Sequence, residues 1–180
     1  MFPKIEGNLE IAVFSDGAFA NLPDKISSGS GHIVFITGSA GEGAAPIAWT
    51  SNKVKRVGES NRAAEVLSLQ EAIAHGSYVR AVVAEIVDVD KEKLPIKAYT
   101  DSNNLFEAVY STKLVKDRRL RIDMAQIQEA IQEENIELLW IPGSEMLADI
   151  LTKKGVCADS ILEVIRNRRL ERKNTKGRLV

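Results

Sequence analysis

The spacing of apolar residues changes from strand-like to helical near residue 60, and that change limits the folds that this chain can adopt. Before it, three apolar stretches of strand length are separated by breaks rich in Gly, Ser, Asn and Pro. After it, apolar residues recur at helical spacing from Asn61 to Ile86, as one long helix or as two. Three strands joined by short turns predict an antiparallel meander, and the helical residues that follow are expected to cover it.

Strands and helices alternate through the rest of the chain. We predict strands at 10–19, 32–38, 45–51, 96–100 and 136–141, and a turn at 20–31. We predict further helices at 102–113, 120–134, 144–155 and 158–170. Short strand–helix–strand connections favour parallel pairing. The predicted fold is therefore α/β, with a mixed five-stranded sheet of three antiparallel and then two parallel strands, flanked by helices.

The domain organisation follows from the same elements. Residues 10–170 are assigned to one domain, 1–9 to an N-terminal extension, and 171–180 to a basic tail that is expected to fray. Two tryptophans in predicted strands, Trp49 and Trp140, are expected to pack in the core.

Composition excludes several classes of protein. The 180 residues are 44% hydrophobic with a net charge of -1, which is ordinary for a globular domain and unlike a uniformly basic nucleic-acid coat. The single cysteine, Cys157, excludes a disulfide framework and is consistent with a reducing, intracellular compartment; we expect its side chain to be buried or half-buried. We find no apolar run of the length needed for a signal peptide or a membrane span.

Four acidic residues fall where this fold can bring them together. Asp16 lies late in the first strand, and Asp101 directly follows the fourth. Glu65 is near the start of the long helix, and Asp149 is on the helix after the fifth strand. Carboxylates that converge in this way repel one another unless divalent cations lie between them. Each acid alone has an ordinary alternative, as a helix cap, a turn residue or a solvated side chain.

The ligand types restrict the metal. The chain has only two histidines, His32 and His75, and we expect them to be far apart, so a zinc site is disfavoured. Carboxylate ligands favour Mg²⁺, and Mn²⁺ can substitute for it.

Four segments, taken in order, resemble the signature segments of the ribonuclease H family: "VFSDGAF", "SNRAAEVLSLQEAI", "AYTDSNNLFEAV" and "LADILTK". The segment "WIPGSEMLADILTKKG" and the helix before it are similar to the C-terminal ribonuclease H domain of copia-like LTR retrotransposon polyproteins, as is "APIAWTSNK". The resemblance covers roughly residues 10–170. One departure is the loop "PGSEM", which lacks the histidine that cellular members usually have there; Glu145 is the candidate to take part instead.

The resemblance implies a fold, an activity and a site. It makes Asp16, Glu65, Asp101 and Asp149 the catalytic, metal-binding acids for two Mg²⁺ ions. It implies hydrolysis of the RNA strand of RNA–DNA hybrids to 5′-phosphate and 3′-hydroxyl products, during reverse transcription of a retroelement. The residues that it implies for substrate binding are Ser60, Asn61, Arg62, Ser102 and Asn103.

The resemblance also implies partners and a location. An upstream reverse transcriptase domain is the expected protein partner. The expected location is the cytoplasm, in a retroelement particle, with the nucleus as an alternative. Two other functions stay open at this point: a nuclease of different substrate with the same fold, such as an integrase, resolvase or exonuclease, and a non-catalytic module that binds or tethers nucleic acid.

Overall fold

A single mixed sheet runs through the computed structural model, which describes residues 8–19, 28–54, 60–111, 117–170 and 175–177. The strands are β1 (Leu9–Ala18), β2 (Gly29–Gly38), β3 (Ala45–Lys53), β4 (Ile96–Thr100), β5 (Ile136–Trp140) and β6 (Lys176–Gly177). Their order across the sheet is β3-β2-β1-β4-β5-β6. The meander β1–β2–β3 is antiparallel, while β1, β4 and β5 are parallel, as predicted.

In the described ranges, five helices cover the sheet. They are α1 (Asn61–Val87), α2 (Asn103–Val109), α3 (Arg118–Glu133), α4 (Asp149–Thr152) and α5 (Asp159–Asn167), with two 3-10 turns at Lys91–Lys93 and Gly143–Glu145. The helical spacing after residue 60 thus forms one long helix rather than two. Ser60 begins α1 by accepting a hydrogen bond from the backbone N–H of Ala63, and Asp88 ends it with a left-handed backbone.

The alternation of side chains along the strands divides the core into two layers. Ile11 and Val13 of β1 face the layer formed with α1, α2 and α3. Ala12 and Phe14 face the layer formed with α4, α5 and the loop before them. The central strand β1 is buried from Glu10 to Gly17, so any polar residue there must find a partner.

Among the residues that the structure describes, the sheet has six strands, one more than the five predicted, and the additional strand is the short C-terminal β6. Gly177 and Lys176 of β6 pair with Leu139 and Trp140 of β5, inside the tail that was expected to fray. Pairing with β6 covers the edge that β5 would otherwise expose. The Lys176 ammonium also lies 5.0 Å from the centre of the Trp140 ring.

The helix predicted over 144–155 is also wrong. The chain instead makes a 3-10 turn at Gly143–Glu145, an extended residue at Met146, and the four-residue helix α4. Met146, Leu147 and Ala148 are consecutive and all buried. A helix turns by about 100° per residue and cannot direct three successive side chains to one side, so the chain leaves helical geometry here.

Other predicted boundaries differ by a few residues. β2 begins at Gly29, inside the turn predicted at 20–31, and residues 20–27 of that turn lie outside the described ranges. The helix predicted at 102–113 ends at Val109, and residues 112 and 113 are likewise outside them.

Three predictions of burial or separation need correction. Trp49 is 65% exposed because β3 is the outer strand of the sheet, whereas Trp140 is half-buried against the core as expected. Cys157 is exposed, in the segment between α4 and α5. His32 and His75 are distant in sequence but touch in the fold, with Nε2 of the first 2.7 Å from Nδ1 of the second.

Burial is the largest contribution to the shift in the His32 pKa. Together with the neighbouring charge of His75, it lowers the His32 pKa to about 4.

Within the described ranges, no helix combines the length and apolar character that crossing a membrane requires.

Candidate active site

The register of β1 and β4 brings two of the predicted acids together. Phe14 pairs with Tyr99 in this parallel ladder, and their rings stack with centroids 4.5 Å apart. Two residues further along each strand the chain reaches Asp16 and Asp101. Because parallel strands end at the same edge of a sheet, both carboxylates lie at the carboxyl end of the two central strands.

The helix α4 adds the third acid. Its first residue is Asp149, and one carboxylate oxygen from each of Asp16, Asp101 and Asp149 lies within 4.8 Å of the others. Gly31 of β2, the cross-strand partner of Asp16, allows this approach. A Cβ at Gly31 would lie 2.8 Å from Leu151 Cβ and from Thr152 Cγ2.

Hydrogen bonds hold α4 in this position. The Thr152 hydroxyl donates a hydrogen bond to Oδ2 of Asp16. Ser51 of β3 donates to the carbonyl oxygen of Leu151, at 2.6 Å. Lys153, which follows α4, places its ammonium 2.7 Å from Oδ1 of Asp149 and 3.6 Å from Oδ1 of Asp16.

The fourth acid, Glu65, lies beside this cluster rather than inside the 4.8 Å group. The Ser68 hydroxyl, one turn along α1, donates to the carbonyl oxygen of Asp16 at 2.7 Å and so fixes the helix on β1. Gly17 lets the helix come this close, because a Cβ there would lie 2.5 Å from the Ala64 carbonyl oxygen. The backbone of Gly17 also hydrogen-bonds the Glu65 carboxylate.

Burial and mutual repulsion disfavour the charged forms of these acids. Burial raises the pKa of Glu65 to about 8, and the charges of Asp101 and Asp16 add to the shift. Burial also raises the pKa of Asp16, against hydrogen bonding from Thr152 and the charge of Lys153. The pKa of Asp101 is raised by burial and then by the charge of Asp16.

The donor set fits a hard divalent cation. All the candidate ligands are carboxylates, whose oxygen atoms suit Mg²⁺ and Mn²⁺. The raised pKa values of Asp16, Glu65 and Asp101 mean that these acids cannot all ionise cheaply without added positive charge. Such an ion would be held by Asp16, Asp101 and Asp149, with Glu65 at its side.

Comparisons with known proteins identify the fold. No family model matches the chain. The ribonuclease H1 called LC11, isolated from compost by a metagenomic approach, has a solved structure that matches with a TM-score of 0.57 and 20% identity, over 85% of this chain and 98% of that one. A structure of LC11 in complex with an RNA/DNA hybrid matches with a TM-score of 0.55 and 20% identity, over 85% and 99% of the two chains. The chain has a ribonuclease H fold.

A curated relative links this ribonuclease H fold to retroelements. The chain is 24% identical over 160 residues to the retrovirus-related Pol polyprotein from transposon RE1 of Arabidopsis thaliana. The match covers 85% of this chain and 10% of the polyprotein, so the chain spans about a tenth of that relative's length. The resemblance to the ribonuclease H domain of a retrotransposon polyprotein is thereby confirmed.

The residues predicted to bind substrate lie within a few positions of Glu65 or Asp101 along the chain. Ser60, Asn61 and Arg62 are exposed and form the start of α1, about one turn before Glu65. Asn103 is exposed at the start of α2. Ser102 is the N-cap of α2, since its hydroxyl accepts a hydrogen bond from the Leu105 N–H at 3.4 Å.

Sequence reasoning missed the residues that support the acids. Trp140 donates its indole N–H to the carbonyl oxygen of Asp101, at 3.0 Å. Thr152 and Lys153 belong to the string "LADILTK", but nothing in their spacing indicated that they reach Asp16 across the sheet.

Glu145, the residue expected to take part in place of a histidine, lines a cavity of about 310 Å³ together with Phe14 and Tyr99.

Proposed function

We propose that this chain is a metal-dependent endoribonuclease that hydrolyses the RNA strand of RNA–DNA hybrids. One observation carries the proposal: Asp16, Asp101 and Asp149, which are far apart in sequence, bring carboxylate oxygens within 4.8 Å at the carboxyl ends of the central strands. A fold can be stable without such a cluster, and buried carboxylates cost free energy. The LC11 complex with an RNA/DNA hybrid supports the choice of substrate.

The proposed cofactor is a pair of Mg²⁺ ions, which Mn²⁺ can replace. Bound divalent ions supply an activated water and stabilise the charge on the leaving 3′-oxygen. Asp16 and Asp101 are proposed to contact them most directly, with Glu65 and Asp149 completing the site. Hydrolysis forms a bond between water oxygen and phosphorus and breaks the bond to the 3′-oxygen, which leaves a 5′-phosphate and a 3′-hydroxyl.

The chain's own polar residues are proposed to position the hybrid. Ser60, Asn61 and Arg62 project from the exposed start of α1, beside Glu65. Hydroxyl, amide and guanidinium groups can contact base edges and 2′-hydroxyls in the minor groove, which is how a protein distinguishes RNA from DNA. Asn103 is exposed at the start of α2, two residues after Asp101, and is proposed to contact substrate, as is Ser102 while it caps α2.

The relative's name supports a retroelement setting. We propose that the chain removes the RNA template during reverse transcription, inside the cell, next to a reverse transcriptase domain of the same polyprotein.

The direct test compares three labelled substrates in Mg²⁺ and in Mn²⁺: an RNA–DNA hybrid, single-stranded RNA and duplex DNA. We expect cleavage of RNA in the hybrid alone. Asp101→Asn should reduce it by more than about a hundredfold, since even residues that only support metal ligands cost 10–100-fold when replaced. Asp88→Asn is the matched control, because it makes the same change at an exposed helix end where asparagine tolerates the left-handed backbone.

Other outcomes assign other functions. Cleavage of duplex DNA would favour a nuclease of the integrase, resolvase or exonuclease type. Binding of the hybrid without cleavage in either metal would favour a non-catalytic binding module.

A further inference from the structure

A basic side chain lies inside the group of acids that is proposed to bind metal. The Lys153 ammonium is 2.7 Å from Oδ1 of Asp149 and 3.6 Å from Oδ1 of Asp16. The neighbouring Thr152 hydroxyl donates to the other oxygen of the same carboxylate, Oδ2 of Asp16. A positive charge of the chain's own therefore sits between two of the proposed ligands.

This position conflicts with a bound divalent ion. Mg²⁺ takes carboxylate oxygens at about 2.0–2.1 Å and requires a near-octahedral shell around it. The same Oδ1 atoms of Asp16 and Asp149 are contacted by Lys153. An ammonium so placed would share ligand atoms with the ion and would repel it.

Lys153 is also free to leave. It lies just past the last residue of α4, and its side chain is 40% exposed, whereas that of Asp16 is 2% exposed. A long side chain attached at a helix end can turn its charged head to solvent without moving the backbone. Strands and a helix fix the positions of the acids, whereas the end of the Lys153 side chain is not fixed in this way.

We propose that Lys153 is a built-in counter-ion of the metal-free site, which a divalent ion must displace, so that Lys153 sets the metal concentration at which the site fills. The inference rests on the proposed function, because it assumes that the acids bind metal. In the metal-free protein the ammonium offsets the repulsion between Asp16 and Asp149. When metal enters, the ammonium is released towards solvent.

The test measures Mn²⁺ affinity of the full chain by calorimetry, with four proteins at one pH and one salt concentration. Lys153→Gln should bind Mn²⁺ about fivefold more tightly than the unmodified chain, which corresponds to the loss of about 1 kcal/mol from a partly exposed ion pair. Lys153→Arg keeps the charge and should stay near the original affinity. Lys154→Gln removes the same charge from the exposed neighbouring residue and should change affinity less than twofold.

A second measurement is the melting temperature in EDTA and in saturating Mn²⁺. Lys153→Gln should melt below the unmodified chain in EDTA, where the acids lack a counter-ion, and the gap should close in Mn²⁺. If Lys153→Gln fails to fold, Lys153→Met preserves most of the side chain and serves in its place.

The outcomes separate this inference from the proposed function. Equal or weaker Mn²⁺ binding by the folded Lys153→Gln protein overturns the counter-ion role, while hybrid cleavage by the unmodified chain would leave the nuclease proposal standing. An unmodified chain that binds no Mn²⁺ overturns both.

Discussion

Gly17 controls how closely α1 approaches the central strand, and Gly17→Ala tests whether that approach builds the site. An added Cβ would lie 2.5 Å from the carbonyl oxygen of Ala64 and 2.8 Å from the backbone N of Glu65. Ordinary contact begins near 3.4 Å, so the helix must retreat by about 3.4 − 2.5 = 0.9 Å at this point. Both atoms belong to the backbone of α1, so no side-chain rotation can relieve the contact.

Two losses are expected from Gly17→Ala. Overpacking at a tight contact costs about 1–3 kcal/mol of unfolding free energy, to be measured by urea titration. Glu65 moves with the helix, and misplacement of a reacting group by about 1 Å can cost roughly a hundredfold in rate, to be measured as initial hybrid cleavage in Mg²⁺.

Gly76→Ala is the contrast on the same helix. Its Cβ would meet a side-chain atom, Val13 Cγ2, at 2.7 Å, three turns from Glu65. It should lower stability while activity per folded molecule is kept. The reasoning is refuted if Gly17→Ala retains full stability and activity, or if both variants lose activity in proportion to stability.

Three further predictions concern stability. Without metal, the free energy of unfolding should fall as pH rises from about 4.5 to about 8. The reason is that Glu65 loses its proton near pH 4.5 in the unfolded chain but keeps it in the folded protein up to its pKa of about 8. Urea titrations at a series of pH values should show this fall, and Glu65→Gln should flatten it. Saturating Mg²⁺ at a hundred times its Kd should add about 2.7 kcal/mol in the same assay, and Asp101→Asn should abolish the gain. Glu134→Gln should cost about 2 kcal/mol, since it leaves the Arg80 guanidinium, whose side chain is 2% exposed, without the counter-charge that lies 2.8 Å away. Arg80→Met should cost less, because the carboxylate that it leaves unpaired is 42% exposed and can be solvated; chemical unfolding of both variants would show the reverse order if the buried charge does not depend on Glu134.

The parts of the site that were predictable from the sequence are those fixed by strand periodicity. Asp16 and Asp101 each stand two residues beyond an aromatic residue of a buried strand, Phe14 and Tyr99, and these strands pair in parallel. Once the order of elements indicated that pairing, the two acids had to meet at one edge. The meander was predictable for the same reason, since short turns leave few alternatives.

Contacts made through the ends of side chains were not predictable. Lys153 and Thr152 reach Asp16 from a helix of four residues, whose placement depends on the absence of a side chain at Gly31. The exposure of Trp49 depends on which strand is outermost, and apolar character alone does not reveal that.

The three clustered acids come from distant parts of the chain. Asp16 and Asp149 are 149 − 16 = 133 residues apart, and the site needs the pairing of β4 with β1 to bring Asp101 to them. A divalent ion therefore finds no ligand set until the centre of the sheet is assembled. A bound divalent ion should therefore leave the refolding rate unchanged and lower the unfolding rate, which lengthens the lifetime of the native state.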